Sequence, residues 1–361
     1  VKFDSMNSAK EWMNNNKQVA GLHIFGNTNY TAAFINDYFP GQIQFDRNKI
    51  NVTTIDIEVA SDNGFPEPEQ ADSPIISITC KNNIDNTYYV WGLGEYDTSI
   101  SYMKSHRVVY SRFNTEADLL INFITWWSKP SNMPDVITGW NTSFFDVPYM
   151  YNRMLKVIGE AYAKRLSPYP SNRAAMRIDD IPGKQTARNG KRYTIMGLSN
   201  LDYLDLFKKF GYSYGPQETY KLDHIANVVL GERKLSYEEA GSLHTLYQTD
   251  HQKFIDYNIK DVELVDRLED KLGLITLCMT MAYKAGVNYN DTFGTTNIWD
   301  TIIYRKLFEH KIAVPLKRDQ NKTFYPGGYV KDPQVGIHEN IVSFDLNSLY
   351  PSIIMQYNMS P

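Results

Sequence analysis

The sequence predicts an α/β fold, in which strands and amphipathic helices alternate along a chain of 361 residues. Two observations predict it. Residues 54–59 alternate apolar and acidic side chains at period two, which is typical of a strand, and residues 119–127 place apolar side chains at helical spacing. Hydrophobic residues make up 42% and charged residues 22% of the chain, which is the balance of a globular protein with a proper core.

The composition narrows the classes of function. The net charge of -4 gives no indication of the basic patch of a strong nucleic-acid binder, but it is compatible with a nuclease, because metal-binding carboxylates lower the charge. Cys80 and Cys278 lie in apolar surroundings, which fits a reducing cytoplasm and indicates neither a disulfide framework nor a zinc site. No apolar run has the length of a membrane span, and residues 1–20 lack a signal-peptide core, so we expect no membrane partner.

The alternating acidic segment places two carboxylates on one face of a strand. Ile55, Ile57 and Val59 share the other face. The carboxylates of Asp56 and Glu58 stay ionised at this separation only if a cation lies between them or water reaches them. A strand with one face in solvent explains the same alternation, so this segment alone leaves both interpretations open.

Periodicity predicts the remaining elements in order. We expect strands over residues 75–80, 87–93 and 108–113 that form a meander with the first strand. A short strand is expected over 135–140, before a polar turn, and two late strands over 325–330 and 341–344. An early helix and strand are predicted over 9–15 and 19–25. Later helices are predicted from 115 onward and over 219–230, 243–272, 274–286 and 297–310. Residues 170–192 fit either a long β-hairpin with a basic tip or a disordered surface loop.

Two more acidic positions lie on predicted elements. Asp146 begins a helix with Pro148 in its first turn, although a lone aspartate at such a place is most often a helix cap. Tyr257 and Asp261 are four residues apart, so they share one helix face. With the first pair, these acids provide the oxygen ligands that two divalent cations need to hydrolyse a phosphodiester. We therefore expect two Mg²⁺ (or Mn²⁺) ions.

The order and spacing of these segments carry a resemblance to known families. They resemble the three exonuclease motifs of the DEDD superfamily, the third in its tyrosine-bearing subclass: Asp56-Ile-Glu58, Asn141-x-x-x-Phe145-Asp146 and Tyr257-x-x-x-Asp261. The final segment resembles the first palm motif of B-family DNA polymerases: Asp345-Leu-Asn-Ser348-Leu349-Tyr350-Pro351. Shorter segments resemble the replicative polymerases of T-even-like phages: Asp62-Asn-Gly-Phe-Pro-Glu-Pro, Gly139-Trp-Asn and Leu166-Ser-Pro.

The resemblance implies a domain organisation and an activity. Residues 1–50 would be the end of a partial N-terminal domain, and residues 51–273 a ribonuclease-H-like exonuclease domain with a mixed sheet and flanking helices. Residues 274–325 would return to the N-terminal domain, and residues 326–361 would begin the polymerase palm. The implied activity is a 3′→5′ proofreading exonuclease that releases 5′-mononucleotides from DNA. The implied location is the cytoplasm of a phage-infected bacterium.

The resemblance also implies roles for the carboxylates. Asp56, Glu58 and Asp261 would hold one metal ion, and Asp56 with Asp146 would hold the second. Tyr257 would orient the attacking water.

Further residues receive DNA-binding or nucleotide-binding roles by the same resemblance. Phe65 would stack on the frayed primer end, Asn141 would contact that end, and Lys234 would lie near the site; a loop aromatic that packs on the core explains Phe65 equally well. The last motif would bind the polymerase metals through Asp345 and an incoming nucleotide through the group Asp345, Leu346, Ser348, Leu349 and Tyr350.

The expected partners follow from these roles. DNA is the first, as a single strand or a frayed primer 3′ end, with the remainder of the polymerase, a sliding clamp and other replication proteins as further candidates. The later palm motifs are absent from the sequence, so we expect no polymerase activity from this chain alone. The chain starts at Val1 and stops directly after the palm motif. Either an end is a cut or the chain is one polypeptide of a split polymerase.

Two other functions remain open from the sequence. One is a single-stranded DNA-binding module that is inactive without the rest of the polymerase. The other is an exoribonuclease of the same superfamily, which the palm motif disfavours.

Overall fold

The computed structural model describes residues 2–26, 29–60, 64, 66–103, 107–180, 190–314 and 326–359. The chain divides into two compact units, Val1–Leu316 and Lys317–Pro361. Among the described residues, no helix combines the length and the apolar character that crossing a membrane requires.

The described residues form eight strands and twelve α-helices, together with short 3-10 turns. The strands are β1 (Val52–Val59), β2 (Ile75–Asn82), β3 (Thr87–Leu93), β4 (Arg107–Phe113), β5 (Val136–Thr138), β6 (Met176–Asp180), β7 (Lys191–Ile195) and β8 (Ser199–Asn200). The helices are α1 (Met6–Asn16), α2 (Tyr30–Tyr38), α3 (Glu116–Trp127), α4 (Asp146–Val157), α5 (Glu160–Ala163), α6 (Tyr203–Phe210), α7 (Leu222–Leu230), α8 (Leu243–Thr249), α9 (His251–Leu272), α10 (Leu274–Ala285), α11 (Thr295–Glu309) and α12 (Leu349–Gln356).

A six-stranded mixed sheet, in the order β4-β3-β2-β1-β5-β8, is the centre of the first unit. β2 pairs antiparallel with β1 and β3, whereas β5 pairs parallel with β1 and β8. The predicted mixed sheet is confirmed, but the predicted meander is wrong at β4. That strand runs parallel to β3, because the chain crosses over between them instead of turning back in a hairpin.

Helices cover both faces of this sheet. Ile55 and Ile57 pack on one face against a cluster that includes Phe123 of α3. On the other face α9 lies over β2 and β3, where Phe254 packs in one cluster with Tyr88. β1 is therefore a central strand, and the interpretation of its acidic face as solvent-facing is wrong.

The predicted helix over 243–272 is two helices, α8 and α9. Asp250 separates them with a non-helical backbone (φ -144°, ψ 79°), and its side chain accepts a hydrogen bond from the Lys253 backbone N–H. Periodicity misses this break because the apolar stripe continues across it. The break is caused by Asp250 itself, which ends α8 and caps the N-terminus of α9. The shared face of Tyr257 and Asp261 lies within α9 and is confirmed.

The polar stretch after α5 carries the strand pairing of a hairpin, which is one of the two alternatives that the sequence left open. β6 and β7 pair antiparallel from Met176↔Ile195 to Asp180↔Lys191. The basic tip predicted at 181–189 lies outside the described residues.

Three predicted strands are wrong in the described parts of the chain. Residues 19–25 form turns and one isolated bridge, and residues 326–330 and 341–344 carry no strand. A strand needs a neighbour that pairs with its backbone N–H and C=O groups, and no described residue supplies one here. The turn that leads into a helix at the end of the chain is confirmed as α12.

Candidate active site

Three carboxylates from two distant segments meet beside β1. Asp56 and Glu58 of β1 and Asp261 of α9 each bring a carboxylate oxygen to within 4.8 Å of the others. The Oδ1 atom of Asp261 is buried and has no hydrogen-bond partner in the part of the chain that the structure describes. A buried carboxylate oxygen without a partner is costly. Converging oxygens of this kind fit a hard divalent cation.

The fourth acid reaches the same place from the end of β5. Asp146 is the first residue of α4, and its Oδ1 accepts a hydrogen bond of 3.1 Å from the Ile57 backbone N–H, which lies between the two acids of β1. Gly139 allows this approach, because a Cβ there would lie 2.4 Å from the carbonyl oxygen of Ile55. The close packing of β5 on β1 thus sets the position of the Asp146 carboxylate.

Burial and mutual repulsion keep these acids from ionising easily. Burial raises the pKa of Asp56 well above its ordinary value, and the negative charges of Asp261, Asp146 and Glu58 raise it further. Burial is also the main reason that the pKa of Glu58 is about 8 and that of Asp146 about 7. Near neutral pH the cluster holds protons, and a divalent cation can replace them.

Lys234 provides a positive charge inside the cluster. Its Nζ forms an ion pair with Asp261, donates a hydrogen bond of 3.1 Å to the Tyr257 hydroxyl oxygen, and lies 5.0 Å from the centroid of the Tyr257 ring. An ammonium group only donates, so Tyr257 accepts this bond and keeps its own hydroxyl hydrogen for another partner. Burial raises the pKa of Tyr257, so its phenol stays protonated.

The acidic cluster opens into a cavity of about 890 Å³. Asn141 lies in its wall, with a left-handed backbone (φ 71°) and an N–H that donates to Asp202 at 2.9 Å. Lys221 and Arg233 line the same cavity, and Arg233 pairs with Asp223 at 2.7 Å. A cavity that presents both acids and cations suits a phosphate-containing chain that approaches bound metal.

Comparisons with known proteins agree with this geometry. The family profile described as the exonuclease domain of DNA polymerase family B matches residues 27–225, and the profile of DNA polymerase family B matches residues 294–361. The chain belongs to DNA polymerase family B. The ribonuclease-H-like fold of its exonuclease domain, with a mixed sheet between helices, agrees with the prediction.

Individual members of this family are similar over nearly the whole chain. The DNA-directed DNA polymerase of Escherichia phage RB69 is 35% identical over 379 residues, covering 99% of this chain and 40% of that protein. The DNA-directed DNA polymerase of Enterobacteria phage T4 is 35% identical, covering 100% of this chain and 41% of that protein. The DNA polymerase delta catalytic subunit of Candida albicans is 27% identical over 86% of this chain. The chain spans about two-fifths of the length of the phage relatives.

The remaining predicted site residues belong to two other parts of the sequence. Phe65 lies outside the described residues. The predicted nucleotide-binding residues belong to the second unit, where all are exposed: Asp345, Leu346, Ser348, Leu349 and Tyr350. Asp345 follows a segment without regular secondary structure instead of the predicted strand, and Ser348 takes a left-handed backbone (φ 53°) directly before α12.

Sequence reasoning missed one residue that touches the cluster. Asn258 of α9 is fully buried and donates a hydrogen bond of 2.6 Å from Nδ2 to Asp56 Oδ2. It lies four residues from both Phe254 and Val262, so it is a polar residue on the apolar stripe of an amphipathic helix. That position is the sequence feature by which it could have been found.

Proposed function

We propose that this chain is the 3′→5′ proofreading exonuclease portion of a B-family DNA polymerase. It hydrolyses 3′-terminal phosphodiesters of DNA and releases 5′-mononucleotides. The observation that carries the proposal is the convergence of Asp56, Glu58 and Asp261 within 4.8 Å at the edge of a large cavity. Membership in the family supports it, through a match to the exonuclease domain that includes β1 and α4.

The donor set supports Mg²⁺ or Mn²⁺ as the cofactor, because every candidate ligand is a carboxylate oxygen. Asp56, Glu58 and Asp261 would hold one ion, and Asp56 with Asp146 would hold a second. When bound, such a pair activates a water molecule and stabilises the leaving oxygen in phosphodiester cleavage.

The chain's own residues position the reactants. The hydroxyl of Tyr257 has a free hydrogen, since Lys234 already donates to its oxygen, and it orients the attacking water by donating to it or to the scissile phosphate. Lys234 keeps Tyr257 and Asp261 in place and contributes positive charge near the phosphate. Asn141, Lys221 and Arg233 contact the DNA from the cavity wall.

The partner and domain assignments rest on the family and on the phage relatives. The substrate is a single strand or a frayed primer 3′ end, bound in the cytoplasm of an infected bacterial cell. Residues 51–273 form the exonuclease domain, 1–50 and 274–325 belong to an N-terminal domain, and 326–361 begin the palm. The remainder of the polymerase and a sliding clamp are further partners. Phe65 stacks on the primer end.

The test is digestion of a 3′-labelled and a 5′-labelled oligonucleotide in Mg²⁺ by the parent protein and by Asp56→Ala. Loss of a metal ligand removes water activation and leaving-group stabilisation together, so turnover should fall by about 10³-fold or more. Asp4→Ala, an exposed aspartate outside the cluster, is the matched control and should keep the parent rate. Cleavage by Asp56→Ala at the parent rate contradicts the proposal.

The same protein separates the alternative functions. Binding of single-stranded DNA in Ca²⁺ without cleavage in Mg²⁺ or Mn²⁺ would indicate a binding module. RNA degraded faster than DNA of the same sequence would indicate an exoribonuclease.

A further inference from the structure

Asn258 connects Asp56 to the neighbouring strand. Its Nδ2 donates to Asp56 Oδ2 at 2.6 Å, and its Oδ1 accepts hydrogen bonds from Ser77 Oγ at 2.8 Å and Thr79 Oγ1 at 2.5 Å. Ser77 and Thr79 lie on β2 directly opposite Glu58 and Asp56 of β1. Four polar side chains on two strands and one helix therefore form a single network of hydrogen bonds.

The chemistry of these groups fixes the direction of every bond. The form of Asp56 that binds metal is ionised and only accepts, so the amide nitrogen of Asn258 faces Asp56 and its oxygen faces the hydroxyls. The two hydroxyl groups then donate to that oxygen. Asn258 is fully buried and both hydroxyl residues are fully buried, so water does not compete for these bonds.

We propose that Asn258 is a positioning residue for the metal site, which fixes the carboxylate of Asp56 in the orientation that lets it share an ion with Glu58 and Asp261. This inference rests on the proposed function. A carboxylate rotates about its last carbon–carbon bond, and the strong hydrogen bond to one of its oxygens removes that freedom. Ser77 and Thr79 in turn hold the amide, so β2 determines the geometry of a ligand on β1.

The first test is Asn258→Leu, which keeps the side-chain volume and removes both the donor and the acceptor. The Mg²⁺ concentration at half-maximal effect should rise by about 10- to 100-fold, as for other partners of metal ligands. Two readouts measure it: the Mg²⁺-dependent shift of the melting temperature without DNA, and the Mg²⁺ dependence of oligonucleotide cleavage. The melting shift reports metal binding directly and needs no activity.

A second variant keeps the test decisive if Asn258→Leu does not fold. Ser77→Ala with Thr79→Val leaves Asn258 and Asp56 in place, and valine suits a buried strand. Losing the two bonds that orient the amide should raise the Mg²⁺ midpoint by about 3- to 10-fold. Adding these two changes to Asn258→Leu should have little further effect, because all three residues act through one contact.

Asn82→Leu is the matched control. Asn82 is a buried asparagine on β2 whose amide bonds Asn51, away from the cluster. A midpoint shift in Asn82→Leu as large as that in Asn258→Leu would overturn the inference, as would a parent-like midpoint in Asn258→Leu. Failure of the proposed function looks different: the parent protein would then show neither Mg²⁺-dependent cleavage nor a Mg²⁺-dependent melting shift.

Discussion

Glu58→Gln should make the metal-free protein more stable at alkaline pH while it removes a metal ligand. In the folded protein the pKa of Glu58 is about 8, against an ordinary value of 4.5, mainly because of burial and then because of the Asp261 charge. Between these two values the folded state keeps a proton that the unfolded state releases. The free energy of unfolding therefore falls as the pH rises from 4.5 to 8.

The structure gives the size of the effect. The carboxylate oxygens of the cluster lie within 4.8 Å of one another, and at that limit two ionised carboxylates repel each other by about 3 kcal/mol at an effective dielectric constant of about 20. The Lys234 ion pair with Asp261 offsets part of this repulsion. Burial separately raises the free-energy cost of ionising Glu58. We expect glutamine at position 58, which carries no charge at any pH, to raise the stability by about 2–4 kcal/mol at pH 8.5 and by less than about 1 kcal/mol at pH 5.

Thermal denaturation in EDTA across pH 5–9 measures this directly. For a domain of about 150–250 residues, each kcal/mol corresponds to about 2–4 °C, so Glu58→Gln should melt roughly 4–16 °C above the parent at pH 8.5. Glu11→Gln, an exposed glutamate on α1, is the matched control and should follow the parent curve. Addition of Mg²⁺ at pH 8.5 should stabilise the parent more than the variant, because bound metal stabilises the folded state by mass action.

Two results would contradict this prediction. Superimposed pH profiles of the parent and Glu58→Gln in EDTA would mean that Glu58 is not held among buried negative charges. An equal Mg²⁺-dependent stabilisation of both proteins would mean that Glu58 is not a ligand.

Two other variants test the groups that surround the ligands. Tyr257→Phe should keep the parent's Mg²⁺ midpoint in the melting assay and lose about 10- to 100-fold in cleavage rate, since it removes only an orienting hydroxyl; a changed midpoint would show that the hydroxyl helps to hold metal. Lys234→Met should lower stability in EDTA at pH 8.5 by about 3 kcal/mol, because it leaves the buried Asp261 charge unpaired. Saturating Mg²⁺ should recover part of that loss, and equal stability of Lys234→Met and parent in EDTA would argue against the ion pair.

The sequence predicts the elements that carry the acids better than their surroundings. Period-two alternation identifies β1, and the four-residue spacing identifies the shared face of Tyr257 and Asp261, because both patterns are local properties of the backbone. Periodicity carries no information on strand direction, so the parallel pairing of β4 with β3 was not predicted. It also gives no warning of the break at Asp250, where one capping side chain ends a helix whose apolar stripe continues.

The sequence of β1 alone does not determine whether its acidic face meets solvent or another element of the fold. The answer depends on α9, which lies about 200 residues later in the chain and covers that face of the sheet. Lys234 presents the same difficulty, since it lies in a segment without regular structure and meets its partners Tyr257 and Asp261 only in the folded chain. Long-range contacts of this kind have no local pattern, and only the resemblance to a family indicated them.

The arrangement around Asp56 is difficult to explain by stability alone. Four acids share one partly buried place with one lysine, their pKa values are raised, and one oxygen of Asp261 has no partner among the described residues. A protein interior of equal volume filled with neutral side chains would be more stable, which is the physical content of the Glu58→Gln prediction. Asn258 nevertheless donates a hydrogen bond to one of these acids, and Ser77 and Thr79 donate two buried hydrogen bonds to Asn258. Rigid placement of groups that repel one another is what a cation site requires, because binding the ion converts the repulsion into attraction without moving the ligands.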